Sequence, residues 1–350
     1  MQENTKPDIR LLSPEEIKDF FVSHGDKPFK SKQVWEWLWK KSVRNFDEMH
    51  NMSVATRKFL DEHFMIHQMH SSITHISKDR TIKTAFQLSD KKIVEGVLIP
   101  SEKRMTACIS SQVGCSMGCK FCATAKLGFS RNLTFFEIYD QVAILSKMAM
   151  ERYSNPLTNI VFMGMGEPLL NYDHLIKGIN RITSPDGLNM SPSRITVSTV
   201  GLTKMIKKLA YDEVKFNLAI SLHTANNKKR NEIIPVNQQN SLEDLADALK
   251  YYYQKTKNRV TFEYLLLSKF NDSVADAREL AEFCKIVPCK INLIEYNHVE
   301  GTGFRKSPEI NVNGFAGILE TKNLIVNIRK SRGEDIAAAC GQLANKIQQS

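Results

Sequence analysis

Cys115, Cys119 and Cys122 lie in the run Gly114-Cys-Ser-Met-Gly-Cys-Lys-Phe-Cys-Ala-Thr124. Their CxxxCxxC spacing is the strongest chemical signal in the chain. It supplies three thiolates where a cube of four irons has four ligand positions, so one iron would stay open to bind another molecule. Ferredoxin runs differ by supplying a full set of four cysteine ligands. The competing reading is a structural zinc site closed by Cys108, because tetrahedral zinc takes four Cys or His ligands. Six residues separate Cys108 from Cys115, whereas zinc ligands normally come as close pairs.

A second group of residues could bind a polar ligand. Glu167 in Gly164-Met-Gly-Glu-Pro168 could accept a charge-assisted hydrogen bond from an ammonium group, with Gly164 and Gly166 allowing close backbone approach. Ser198, Ser221 and Asn297 could bind ribose or carboxylate groups, and His223 follows in Ser221-Leu222-His223. Singly each has a plain structural reading: a helix N-terminal acid, strand-end or turn serines, a packed histidine.

The elements that must position these residues alternate between strand and helix. Apolar runs predict strands at Thr106–Ser110, Asn159–Met163, Arg194–Ser198, Lys215–Ser221, Arg259–Leu266 and Lys290–Tyr296, with Leu324–Ile328 closing the series. Helical patterns between them include Thr134–Met150, Leu202–Leu209, Ser241–Gln254 and Val274–Cys284. Such alternation implies parallel strands with crossover helices, an α/β arrangement that at this length suits a partial (β/α)6 barrel. Each candidate residue then follows the carboxyl end of a different strand, where parallel barrels build their active sites.

Ahead of the barrel, residues 1–75 read as a small all-helical accessory domain, and 76–100 as a strand pair leading into a core of 101–335. Residues 336–350 form a terminal segment. Ser13-Pro-Glu-Glu16 is a helix start, and a second helix over Ser31–Lys41 carries Trp35, Trp37 and Trp39. The tryptophans suit the core of so small a unit, with base stacking as the alternative. His63, His67 and His70 have no matching Glu or Cys and read as packing residues.

The 350 residues, 42% of them hydrophobic, can bury a sizeable core. The polar start Met-Gln-Glu-Asn-Thr-Lys lacks a signal-peptide core, and no eighteen-residue apolar run follows, so a cytoplasmic protein without a membrane span is expected. Seven cysteines, four of them within Cys108–Cys122, suit metal or redox chemistry in a reducing compartment. The net charge of +10 is uneven. Residues 1–75 hold 11 Lys plus Arg against 11 Asp plus Glu, and the remainder 37 against 27. A basic catalytic region suits a polyanionic substrate. Lys126, Arg131, Lys228, Lys229 and Arg230 are candidate contacts.

The cysteine run resembles the signature of radical S-adenosylmethionine (SAM) enzymes, in which SAM chelates the open iron of a 4Fe-4S cluster. Glu95-Gly-Val, Cys108-Ile-Ser-Ser-Gln-Val-Gly-Cys115, the Gly164–Asn171 run, Ser221-Leu-His223 and Asp335-Ile-Ala-Ala-Ala-Cys-Gly-Gln-Leu343 extend the resemblance to the RlmN family of bacterial radical methyltransferases over nearly the whole chain. The resemblance implies methylation of adenosine carbon 2 in 23S rRNA, at the peptidyl-transferase centre, and in tRNA, just after the anticodon. It implies two SAM per methyl group, Cys115, Cys119 and Cys122 as cluster ligands, and SAM contacts at Gly166, Glu167, Ser198, Ser221, Leu222, His223 and Asn297. Carbon 2 of adenine is not nucleophilic, whereas a thiolate can take the methyl group first. By resemblance that carrier is Cys340, with Cys108 as the resolving thiol that ends in a transient disulfide with it, and Glu95 as proton acceptor. Flavodoxin or ferredoxin is the implied electron donor, and a monomer is expected. Cys284 and Cys289 match nothing in the scheme and read as structural thiols. The alternatives are the resistance-type carbon 8 methyltransferase, from which Val113 and Gly166-Glu-Pro168 differ, and a noncatalytic RNA-binding metal-cluster protein.

Overall fold

Local capping sets the start of the helical unit. The Ser13 hydroxyl accepts from the Glu16 N–H while the Glu16 carboxylate accepts from the Ser13 N–H, and Pro14 opens α1 (Pro14–Ser23). Helices α2 (Lys30–Trp39) and α3 (Val54–His63) complete it. The computed structural model describes residues 6–344; the first five residues and the last six of the 336–350 segment lie outside the described residues. Trp35 and Trp39 are buried, and Trp37 is partly buried with the Lys41 ammonium 3.6 Å from its ring centre.

Strand β1 (His70–Ile76) is exposed throughout, which is why its polar sequence hides it. It ends the helical unit earlier than the expected residue 75. It pairs antiparallel with β2 (Ile82–Gln87), and β2 with β3 (Ile93–Pro100), so three strands rather than two lead into the core. β3 also pairs antiparallel with β4 (Met105–Cys108). A small hairpin follows, β5 (Gln112–Gly114) with β6 (Phe129–Asn132), and the cysteine loop lies between its strands.

From β4 the sheet is parallel. Its strands are β7 (Asn159–Phe162), β8 (Ile195–Thr199), β9 (Asn217–Ser221), β10 (Val260–Leu266), β11 (Cys289–Glu295) and β12 (Val326–Arg329). The order is β1-β2-β3-β4-β7-β8-β9-β10-β11-β12. The connecting helices are α4 (Phe135–Tyr153), α5 (Tyr172–Thr183), α6 (Thr203–Tyr211), α7 (Asn227–Ile233), α8 (Leu242–Thr256), α9 (Val274–Phe283) and α10 (Glu309–Glu320). Strands β8 to β10 bury Val197, Leu218, Phe262 and Tyr264 completely, as expected for parallel strands covered by helices.

The helical unit is fastened to the barrel rather than tethered. Trp39 stacks on Phe135 of α4, and Arg10 sits between Asp8 at 2.9 Å and Asp140 of α4 at 2.8 Å. The two ends of the sheet are linked by the terminal segment. Past β12, the Gly333 N–H donates to Asp79, and Asp335 accepts from the Ser77 hydroxyl and the Lys78 N–H, beside the β1–β2 turn. Side chains and turns thus bridge the open side of the barrel, where no strand pairing closes it among the described residues.

Candidate active site

The carboxyl ends of the parallel strands open on one cavity. Its wall holds Cys108, Cys115, Cys119, Cys122, Gly166, Glu167, Ser198, Ser221, His223, Asn297 and Cys340. Residues up to 232 positions apart in sequence therefore share one surface, since Cys108 ends β4 and Cys340 arrives with the terminal segment. All seven cysteines are free thiols.

The cysteine loop is shaped by close backbone approach. Gly114 has φ +77°, and a Cβ there would stand 1.9 Å from the Gly128 carbonyl oxygen. That same carbonyl accepts from the Cys115 N–H at 2.8 Å, so the loop closes on itself. Gly166, at φ +100°, would drive a Cβ to 2.5 Å from Gln112. The close approach there is to protein, and Gln112 Oε1 accepts from the Glu167 N–H at 2.8 Å.

Glu167 is buried, and burial pushes its carboxyl up to about 7. Its two oxygens each accept a backbone N–H, from Leu169 at 3.1 Å and Val200 at 2.9 Å, leaving further lone pairs for a cationic ligand. His223 accepts the Leu265 N–H at Nδ1, 3.0 Å away, so its remaining proton is on Nε2. Burial, with Arg230 nearby, holds the ring down to about 3, making it a neutral donor at physiological pH. The hydroxyls of Ser198 and Ser221 are 3.3 Å apart.

Burial also raises the thiols. Cys108 is pushed up to about 12 by burial and then by Cys340, while Cys115 reaches about 11 and Cys119 stands well above its ordinary value. Cys340 is exposed, yet onto this cavity; the surrounding protein raises its thiol while Arg329 opposes the rise. Desolvation disfavours the thiolate forms of Cys115 and Cys119, and a bound metal would reverse that by taking them as thiolate ligands. Among the described residues no three Cys, His, Asp or Glu side chains converge on a single-ion site. Cys115, Cys119 and Cys122 nonetheless share one wall in mostly apolar surroundings with Phe121 and Met117, a donor set that fits separate corners of an iron-sulfur cube. The groups that act electrostatically on Cys108 are Cys340 and Arg329, which places it beside Cys340 rather than with the triplet.

The terminal segment is held over the mouth by several bonds. The Ala123 N–H, next to Cys122, donates to the Gly341 carbonyl at 2.7 Å, and Asn297 Nδ2 donates to the Cys340 carbonyl at 3.4 Å. The Thr124 hydroxyl reaches Leu343 at 2.7 Å.

Three expectations from sequence differ from this arrangement. Glu95 is fully buried off the cavity wall, its Oε2 accepting the Ala344 N–H at 2.9 Å and its Oε1 lying 3.5 Å from Lys83 Nζ without a hydrogen bond. Leu222 packs in the core, since positions alternate across a strand end, and only its neighbours reach the cavity. Arg230 is no surface residue. Its guanidinium is fully buried and donates to the carbonyls of Leu222, Val200 and Ser221 and to Asn237, pinning the loops after β8 and β9. Sequence reading also missed Glu263 and Arg329, which line the cavity. Glu263 had a usable signal, a lone acid in the otherwise apolar or uncharged strand Val260–Leu266.

Comparison with known proteins places this geometry. Residues 8–66 match the ribosomal RNA large subunit methyltransferase N-terminal domain, and residues 109–284 match the radical SAM superfamily. A probable dual-specificity RNA methyltransferase RlmN from Cytophaga hutchinsonii is 53% identical over 338 residues, covering 97% of this chain and 93% of its relative. The chain belongs to the RlmN family. A family member from Nitratidesulfovibrio vulgaris, named as a dual-specificity RNA methyltransferase, is 43% identical over 96% of this chain and 94% of its own length. The crystal structure of a radical SAM methyltransferase from Sphaerobacter thermophilus superposes on this RlmN-family chain with a TM-score of 0.91 at 35% identity, covering 96% and 99% of the two chains. The N-terminal match stops at residue 66, just before β1 begins at His70.

Proposed function

We propose that this RlmN-family chain is a radical SAM methyltransferase that places a methyl group on carbon 2 of adenosine in 23S rRNA and in tRNA. The observation that carries the reading is the meeting of Cys108 and Cys340 on the wall that also holds the three cluster cysteines. The 4Fe-4S cluster with bound SAM supplies the radical chemistry that activates an otherwise inert methyl group. Cys115, Cys119 and Cys122 hold the cluster, while Gly166, Glu167, Ser198, Ser221, His223 and Asn297 bind and orient SAM. Cys340 carries the methyl group to the base, and Cys108 releases the product by pairing with Cys340, so a reductant must restore both thiols. Two SAM are used per methyl group.

Glu95 accepts the proton lost from carbon 2. That role requires the Ala344 N–H to release its carboxylate, so residues 341–344 shift during the cycle. The helical unit serves as an RNA-binding accessory, and the excess of 37 Lys plus Arg over 27 Asp plus Glu beyond residue 75 favours the polyanion. A flavodoxin or ferredoxin supplies electrons, and the protein works as a monomer in the cytoplasm, where its RNA substrates are. Among the described residues no helix is long and apolar enough to cross a membrane.

The test is nucleoside mass spectrometry of unmodified rRNA and tRNA after anaerobic incubation with cluster-reconstituted protein, reductant and methyl-labelled SAM. Label in 2-methyladenosine is the expected result. Label in 8-methyladenosine would move the chain to the resistance type, and an unlabelled RNA would leave only a binding protein.

A further inference from the structure

Arg329 closes the last parallel strand, opposite Ile294 of β11, and lines the cavity beside Cys108 and Cys340. Its side chain is 41% exposed, and no described group accepts a hydrogen bond from its guanidinium. This contrasts with Arg10 and Arg230, whose donors are engaged by carboxylates, an amide and carbonyls. Its ionic neighbour is Glu263, whose Oε2 lies 3.7 Å away, beyond hydrogen-bond reach. Glu263 is itself 4% exposed, is fixed through Oε1 by Asn292 Nδ2 at 2.8 Å, and leaves Oε2 without a hydrogen bond.

A carboxylate buried mid-strand is costly unless a cation offsets it. A purely structural pair would be expected to close into a bidentate bridge, the geometry that guanidinium and carboxylate favour. Here the carboxylate holds the guanidinium near the two thiols, and among the described residues its donors are not taken up by hydrogen bonds. A ligand that enters the cavity with hydrogen-bond acceptors meets these donors beside Cys340.

We propose that Arg329 is a catalytic residue that donates a hydrogen bond to one of the two ring nitrogens flanking carbon 2 of the target adenine, and that Glu263 is the residue that positions it. The proposal rests on the methyltransferase reading above. Carbon 2 lies between N1 and N3, both acceptors with no hydrogen of their own. A cationic donor at either nitrogen withdraws electron density from the adjacent carbon, and carbon radicals add more readily to a nitrogen heterocycle so polarised. The same bond turns carbon 2, rather than another edge of the base, toward the carrier sulfur.

The test compares methylation of an RNA stem-loop bearing adenosine, 1-deazaadenosine or 3-deazaadenosine at the target position, using reconstituted wild-type, R329M, R329K and E263Q proteins. Wild type should lose about tenfold or more on the analogue that lacks the bonded nitrogen, relative to R329M on the same pair of RNAs. R329M should slow on natural adenosine by about ten- to a hundredfold and show no selective penalty for that analogue. R329K, which keeps a charge and a donor, should retain part of the penalty, and E263Q should weaken it. SAM affinity, read separately by equilibrium dialysis, should match wild type in R329M. An R329M protein that keeps the full analogue penalty, or one whose SAM affinity falls in step with its rate, overturns the assignment. Failure of wild type to methylate natural RNA would refute the methyltransferase reading instead.

Discussion

Glu167 shows how a residue's place can be read from sequence while the groups around it cannot. Its place after β7 was clear from sequence, whereas the backbone N–H groups of Leu169 and Val200 that hold its carboxylate come from two different loops. Replacing it with Gln removes the charge that attracts an ammonium and turns one of its two accepting oxygens into an NH2 that faces a backbone N–H, so SAM binding should weaken about tenfold or more in equilibrium dialysis; unchanged affinity would remove Glu167 from the cofactor site. Cys340→Ala should abolish methyl transfer while iron content stays at the wild-type level, and full activity would sink the carrier role. The cysteines were readable because coordination chemistry is written in spacing along the chain. Leu222, Arg230 and Arg329 were not, because their roles depend on which way a strand end turns and what packs behind it.

At the scale of elements, the parallel strands and their helices were foreseen from apolar runs, and the hairpin that carries the cysteine loop was not. β5 and β6 are three and four residues long, too short to show a period. Gly114→Ala puts a Cβ into the Gly128 carbonyl at a positive φ, so the loop must distort; reconstituted iron per protein should fall well below wild type. The joint between helical unit and barrel rests on the buried Asp8–Arg10–Asp140 cluster. Arg10→Met strands two carboxylates and should cost about 3–5 kcal/mol in denaturant unfolding. Despite burial, which opposes it, the Arg10 guanidinium holds the Asp8 carboxyl below its ordinary 3.8. Its stabilising contribution is therefore complete above that pH and is lost as pH falls through the lower folded value. An acid titration in which wild type and Arg10→Met lose stability in parallel would contradict this.

For the whole molecule, the decisive feature is that the terminal segment does two jobs. It bridges the open side of the barrel through Gly333 and Asp335, and it carries Cys340 into the cavity while Ala344 covers Glu95. This coupling could not be read from sequence, since it depends on contacts across more than two hundred residues. The charge surplus outside the first 75 residues was readable, and it makes RNA affinity salt-dependent. Binding of a tRNA stem-loop should weaken steeply between low and physiological salt, with a log–log slope of about −0.7 per phosphate neutralised; a flat profile would remove the electrostatic basis of RNA binding.

The central claim is that Cys340 carries the methyl carbon to the base and Cys108 frees it, and one experiment examines both. Cys108→Ala protein, reconstituted and incubated anaerobically with RNA, reductant and methyl-labelled SAM, is resolved on a denaturing gel and its RNA-linked peptide sequenced by mass spectrometry. The account predicts a trapped protein–RNA species in which the labelled carbon joins Cys340 to adenosine. Clean release of methylated RNA from that variant, or a link through any residue other than Cys340, would contradict it.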